Sequence, residues 1–299
     1  MLIFDLAISY TWEYDSEFID LIEKKFQKNG YKTFIIYKQN IGEVANLLRN
    51  KKIYFKAYLD RASDEDPEFE IITKLLTRKK SYIINPHKKT KKVTDKAYFH
   101  KKLFRKKFNL PRTIILERFD KCNPLLITKE DLNELRIPFI IKPSIFSGGG
   151  QGVVKDGTSN EQIQNERVRS HNEKYLIQEK IHPAKIDHKR AWFRVFWAFG
   201  KVIPTWWDDH THIYHPVTKE QINKYKLHQL NKITARLAKI ASIDYFSTEI
   251  TLTNNHKFVL IDYINDQCDM RLQSLHVDGV PDIVVNQFID QMKKKVASL

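Results

Sequence analysis

Four of the chain's nine glycines, Gly148, Gly149, Gly150 and Gly152, fall within one stretch, FIIKPSIFSGGGQGVVK, Phe139–Lys155. Glycine is the residue for a backbone that must take positive φ or approach a partner closely, so this concentration reads as a built loop. The glycines lie between two apolar runs rather than opening a helix, which excludes both a GxxxxGK[ST] phosphate loop and a GxGxxG dinucleotide fingerprint. A glycine hairpin can still fold its backbone N–H groups over phosphates, with Lys142 at the end of the preceding strand as a point charge. Such a loop is expected to be a mobile flap. HTHIYH offers His210, His212 and His215, but no carboxylate spacing accompanies them to make a zinc site, and a hairpin loop is the expected reading. Cys122 and Cys268 are far apart and lack a CxxC partner, which argues against a disulfide framework.

The elements that must position these groups alternate at first. Leu2–Tyr10 reads as a strand and SEFIDLIEKKFQKNGYK as an amphipathic helix. YKTFIIY, IYFKAYL and SYIINP follow as strands, with IGEVANLLRNKK and PEFEIITKLLTRKK as helices between them. Alternation predicts a parallel α/β sheet, whose ligands sit at the carboxyl ends of strands, where DRASDEDPEF begins at Asp60. After Asp95 the pattern changes. A helix in AYFHKKLFRKKF leads to NLPRTIIL, to strands in RIPFIIKP and GQGVVK, to a helix in QNERVRSHN and to a strand in YLIQEKI, the composition of a small α+β lid. AWFRVFWAFGKVIPTWW predicts a hairpin, KLHQLNKITARLAKIAS a long helix, and STEITLT and KFVLIDYIN paired strands turning at Asn254 and Asn255.

With 299 residues and 42% hydrophobic content the chain can fill more than one core. No apolar run reaches the length of a membrane span and the N-terminus lacks a signal-peptide pattern, so an intracellular, cytoplasmic protein is expected. The formal charge of +15, concentrated in HKKTKKVTDK and HKKLFRKKF, attracts polyanions without selecting one. Nucleic acid is not an expected partner, because no RNP-type motif or helix-turn-helix is evident.

Taken in order, TDKAYFHKKL, the PRT turn, PFIIKP, SGGGQGVV, YLIQEKI, FRVFWAFGKV, STEI and LIDYIND resemble the ATP-grasp superfamily of carboxylate-amine ligases and related kinases. The resemblance covers nearly the whole chain and is closest to the glutamate-adding, ribosomal-protein ligase type. It implies an N-terminal parallel α/β pre-domain (1–95), an ATP-grasp lid with its linking helix (96–180) and a C-terminal α+β catalytic subdomain (181–299). ATP and Mg2+ are the implied cofactors, with ATP held between lid and C-terminal subdomain. Lys96 and Lys142 would contact phosphates, and the loop Ser147, Gly148, Gly149, Gly150 and Gly152 would close over them. The backbone of Gln178, Glu179, Lys180 and Ile181 would meet adenine, Asp187 the ribose, and Arg194 would point toward the phosphates.

The resemblance also implies magnesium ligands at Glu249, Asp262 and Asn265. Here the chain departs from the family's pattern. A carboxylate and an asparagine two apart share one strand face, whereas Asp262 and Asn265 are three apart and Tyr263 stands in the carboxylate position. Convergence then requires a bulge or an early strand end after Tyr263; Asp266 and Asp269 are the alternatives. Asp60, Arg61 and Ser63 fall where glutamate-adding ligases face their acceptor, although Ser63 followed by Asp64, Glu65 and Asp66 also reads as an acidic helix N-cap. Arg271 is the candidate grip for a second carboxylate or phosphate. The implied activity is ATP-dependent ligation of an amine to a small-molecule or peptide carboxylate through an acyl phosphate. A kinase for a polyanionic small molecule and a degenerate nucleotide-binding protein are the alternatives.

Overall fold

The computed structural model describes residues 1–120, 127–145, 150–170 and 172–299; Ser147, Gly148, Gly149 and Cys122 lie outside the described residues. The chain forms two compact units, one of residues Met1–Lys89, Val195–Ser247 and Asp266–Leu299, the other of Thr90–Arg194 and Thr248–Asn265.

The first unit begins with β1 (Leu2–Tyr10), α1 (Ser16–Gln27), β2 (Thr33–Ile36), α2 (Ile41–Arg49), β3 (Ile53–Arg61), α3 (Glu70–Arg78) and β4 (Tyr82–Ile84). The strands make the expected parallel sheet in the order β2-β1-β3-β4. Leu6, Ala7, Ile8 and Ser9 are all fully buried, the consecutive burial of a central strand covered on both faces. Leu6 and Ile8 share a core with Phe18, Ile19, Ile22 and Phe26 of α1, and Ala7 shares one with Val44 and Leu48 of α2 and Ile72 and Leu76 of α3.

β3 runs through Asp60 and Arg61, into the polar stretch DRASDEDPEF. The charge is tolerated because it is paired: Arg61 Nε and Nη2 donate to Asp15 at 2.6 and 2.8 Å, and Nη2 also donates to the Cys268 carbonyl. The helix cap expected at Ser63 is at Asp66 instead, which accepts from Glu68 N; Pro67 fixes the helix start one residue later. Ser63 donates to Asp60, which also accepts from Thr73 and from the Ala62 and Ser63 amides, so Asp60 holds the turn.

Next come α4 (His87–Thr94), α5 (Lys96–Arg105), β5 (Thr113–Leu116), α6 (Lys129–Leu135), β6 (Phe139–Pro143), β7 (Val154–Gly157), α7 (Asn160–Arg169), β8 (Tyr175–Glu179) and a short hairpin, β9 (Lys185–Ile186) and β10 (Lys189–Arg190). The lysine-rich HKKTKKVT is helical, with Thr90 and Val93 buried three residues apart, and the sequence reading passes over both this helix and α6. β5-β8-β6-β7 form an antiparallel sheet in which β6 and β7 are the arms on either side of the glycine loop. Phe139, Ile141, Tyr175 and Ile177 pack one face against Leu132 and Leu135 of α6 and Ile163 of α7. Lys142, one position on from Ile141, therefore points to the other face.

The remaining elements are β11 (Trp192–Ala198), β12 (Lys201–Trp207), β13 (Tyr214–Pro216), α8 (Lys219–Lys224), α9 (His228–Ala241), β14 (Tyr245–Leu252), β15 (Phe258–Asn265) and α10 (Asp282–Ala297), with strand order β13-β12-β11-β14-β15. α10 was not expected, although Val285, Phe288, Ile289, Met292 and Val296 bury a helical stripe. β15 runs unbroken to Asn265, so the strand end expected after Tyr263 does not occur. Among the described residues no helix is long and apolar enough to cross a membrane.

Candidate active site

In the second unit, α5, β6, β11, β14 and β15 bring together Lys96, Lys142, Arg194, Glu249 and Asp262. Each is placed by a local device. Asp95 caps α5 by accepting from Tyr98 N, and the same Oδ1 accepts from Ser144 Oγ; Lys96 N and Ala97 N donate to Ser144 at 2.9 Å each. This clips the first turn of α5 to the end of β6, so Lys96 and Lys142 start from neighbouring backbone. Lys96 Nζ lies 3.8 Å from Asp262 Oδ1. Lys142 is buried and donates to the Ile261 carbonyl at 3.2 Å. Arg194 Nη2 donates to Glu249 Oε1, and Trp192 Nε1, two residues earlier on the same face of β11, donates to Oε2 at 3.2 Å. Thr248 Oγ1 donates to the Asp262 carbonyl, tying β14 to β15.

Burial sets the charge states. It lowers the Lys142 ammonium to about 8, with Asp262 and Glu249 supporting the charge and Lys96 opposing it. Burial pushes Asp262 up, but Lys96, Lys142 and Arg194 more than offset this and hold the carboxylate below its ordinary range. Burial also pushes Glu249 up, and Arg194 only partly compensates while Asp262 adds repulsion, so the net shift is upward. Three cations thus face two carboxylates, an excess that suits a polyanion.

Asp262 Oδ1 is buried without a hydrogen-bond partner, which is the kind of oxygen a hard cation would take. Among the described residues no three His, Cys, Asp or Glu side chains gather as metal ligands, so a magnesium ion at Glu249 and Asp262 would draw its other ligands from phosphate oxygens and water. Asn265 closes β15, three residues along from Asp262, and the strand runs through Tyr263 rather than ending there. Of the alternatives, Asp269 is engaged with Arg271, and Asp266, in the first unit, is pushed to about 6 by burial and by Asp64.

The other sequence-derived candidates are dispersed. Gly150 and Gly152 take positive φ of 82° and 68° ahead of β7. Gln178 turns its amide inward, toward Thr113 and Tyr263. Glu179 ends β8 and accepts from Arg112 N, Lys180 pairs with Asp156, and Lys180 and Ile181 lie beyond the strand end. Asp187 sits with His188 at the positive-φ turn of the β9–β10 hairpin. In the first unit, Asp60, Arg61 and Ser63 are tied up in the Asp15 pair and the Asp60 turn. Arg271 donates to Asp269 and Asp278 at 2.7 and 2.9 Å and packs beside Trp12 and Tyr14, so its charge is met within the unit.

Trp192, Ser144 and His100, which the sequence reading does not single out as site residues, complete the arrangement, His100 by pairing with Tyr263. Tyr263 is fully buried, its hydroxyl 2.6 Å from His100 Nδ1 and its ring centroid 5.6 Å from Lys142 Nζ. Burial and the charge of Lys142 lower His100 to about 4, so it is neutral. The spacing of α5 gave no sign of this, because the partner lies more than 160 residues away. A cavity of about 670 Å³ opens beside α5, β5 and α6, lined by His100, Phe104, Thr113, Glu134 and Glu179 among others. His100 lines it, but none of the five clustered charges does.

No family model matches the sequence, and no curated protein matches it. In structure the chain is similar to the ATP-grasp ligase PsnB complexed with a phosphomimetic variant of a minimal precursor, Mg and ADP, with TM-score 0.65 at 12% identity over 99% of this chain and 100% of that one. D-alanine–D-alanine ligase from Bacillus anthracis complexed with ATP matches with TM-score 0.65 at 14% identity over 99% and 98%. The macrocyclase MdnC from Microcystis aeruginosa MRC, bound with precursor peptide MdnA, matches with TM-score 0.63 at 14% identity over 95% and 98%. The chain therefore has the ATP-grasp fold over nearly its whole length.

Proposed function

We infer that the protein is an ATP- and Mg2+-dependent carboxylate-amine ligase. The observation that carries this reading is the cluster of Lys96, Lys142, Arg194, Glu249 and Asp262 on a fold whose solved examples are ATP-grasp ligases. In this reading 1–95 is the pre-domain, 96–180 the lid and 181–299 the catalytic subdomain. A substrate carboxylate takes the terminal phosphoryl group of ATP, releasing ADP, and an amine then displaces phosphate from the acyl phosphate to leave an amide.

Lys96 and Lys142 hold the phosphates and Arg194 spreads positive charge toward the transferring group, the positioning and charge compensation that phosphoryl transfer needs. Glu249 and Asp262 would hold magnesium, which when bound would supply positive charge to offset that of the phosphates. Gly150 and Gly152 belong to the flap, the Lys180–Ile181 backbone meets adenine and Asp187 the ribose. The acceptor is a small molecule or peptide bearing a carboxylate.

A second reading, nucleotide binding without turnover, draws on the unbroken run of β15 through Asn265, which leaves two carboxylates for the metal. Incubation with ATP, magnesium and a metabolite pool, reading ADP release and product mass, separates the readings. A condensation product formed with loss of water supports the ligase; a product heavier by one phosphate identifies a kinase; ATP bound with no ADP formed supports the second reading.

A further inference from the structure

Tyr263 makes none of the contacts proposed above, yet it is fully buried directly after Asp262. A buried phenol is tolerated when its hydroxyl is satisfied. Here Gln178 Nε2 donates to it at 3.3 Å and is itself directed by Thr113 Oγ1 at 2.8 Å, and the hydroxyl shares a second hydrogen bond with His100 Nδ1, 2.6 Å away. Phe99 packs against the ring at 6.5 Å between centroids. The ring is therefore fixed by two hydrogen bonds and an aromatic neighbour, and the Lys142 ammonium lies over it, 5.6 Å from the centroid, while donating to the Ile261 carbonyl.

We propose that Tyr263 is a positioning residue whose ring, locked by His100 and Gln178, seats the Lys142 ammonium for an anionic ligand. The choice of residue has a physical reason. A buried lysine needs something that favours its charged form, and a long side chain needs something to hold it still. A carboxylate at 263 would do both but would also spend the charge. An aromatic face attracts the cation through its quadrupole and carries no net charge, so the ammonium is steadied while its attraction for phosphate is kept. This accounts for an aromatic residue where the family's pattern has a carboxylate.

The proposal rests on the nucleotide reading of Lys142, and the test separates the two. Affinities for metal-free ADP and for adenosine are measured by calorimetry in the wild type, Tyr263→Phe, Tyr263→Leu, Lys142→Ala and the Lys142→Ala/Tyr263→Leu double variant. Tyr263→Leu is expected to weaken ADP about ten- to thirtyfold, the scale of a desolvated cation–π contact, and to leave adenosine within about twofold. Tyr263→Phe, which keeps the ring, recovers most of the ADP affinity. In the Lys142→Ala background Tyr263→Leu has no further effect, because the seat has nothing to hold.

An equal loss for ADP and adenosine in Tyr263→Leu, or the same ADP loss with and without Lys142, overturns the proposal and leaves the nucleotide reading standing. Wild-type protein that binds no ADP, or Lys142→Ala that binds it as tightly as wild type, overturns both. Should Tyr263→Leu fail to fold, Tyr263→Met fills the same space without a π face and carries the same comparison.

Discussion

Two groups of charge are built on opposite terms. In the first unit Arg61 meets Asp15 through two hydrogen bonds and spends a third on a carbonyl, and Arg271 meets Asp269 and Asp278. Charge is matched by charge, and donors by acceptors. In the second unit three cations, Lys96, Lys142 and Arg194, gather with two carboxylates, Glu249 and Asp262, one lysine rests on a neutral ring, and a carboxylate oxygen is buried without a donor. A matched pair fixes backbone, as Arg61 does by carrying β3 two residues past its apolar run. An unmatched group holds desolvation cost in reserve until a ligand relieves it, which is why perturbed groups mark sites.

The sharpest way to break this comparison is to neutralise one carboxylate of each kind. Asp262→Asn should lower ATP turnover about 10³-fold with the fold intact, since it keeps shape and removes the charge a metal needs. Glu249→Gln should also lose turnover without losing thermal stability, because burial already disfavours the ionised form of Glu249 in the folded protein. ADP release and a melting curve check both; wild-type turnover in Asp262→Asn would remove the metal assignment. Asp15→Asn should do the reverse, costing about 3–5 kcal/mol of stability by stranding Arg61 while the folded protein keeps its ADP affinity. Denaturant titration beside calorimetry reads the two effects separately, and lost affinity at unchanged stability would move Arg61 into the site.

Titration sharpens the contrast further. The folded pKa of His100, about 4, lies below its unfolded value, so protons favour the unfolded chain. Stability present above about pH 6.5 is lost as pH falls toward 4, about 2 kcal/mol of it by pH 5. His100→Gln should flatten that part of the stability profile; an unchanged profile would mean another group titrates. The smallest effect concerns Lys142, which is charged below about pH 8 and neutral above. Metal-free ADP affinity should therefore fall as pH rises through 8, approaching tenfold per unit, and Lys142→Ala should abolish the dependence.

The sequence by itself determined the elements and their order. Period-2 and period-3.6 patterns placed β1 to β4, α1 to α3, β6, β8, the β11–β12 hairpin, α9, β14 and β15, because local burial patterns are written in neighbouring residues. They missed α4, whose lysines hide a short buried stripe, and α6 and α10. The motif order picked out Lys96, Lys142, Arg194, Glu249 and Asp262, which the fold then brought into one cluster. What only the tertiary structure decided was which charges are already matched. Arg61 and Arg271 look like ligand-gripping arginines in sequence and are paired in space, while β15 runs on to Asn265 instead of ending after Tyr263. Tyr263 reads as a departure until His100, from a helix far away in sequence, fixes its hydroxyl and Lys142 settles on its ring. Whether a buried charge is matched depends on contacts between residues tens to hundreds of positions apart, and local spacing carries no record of them.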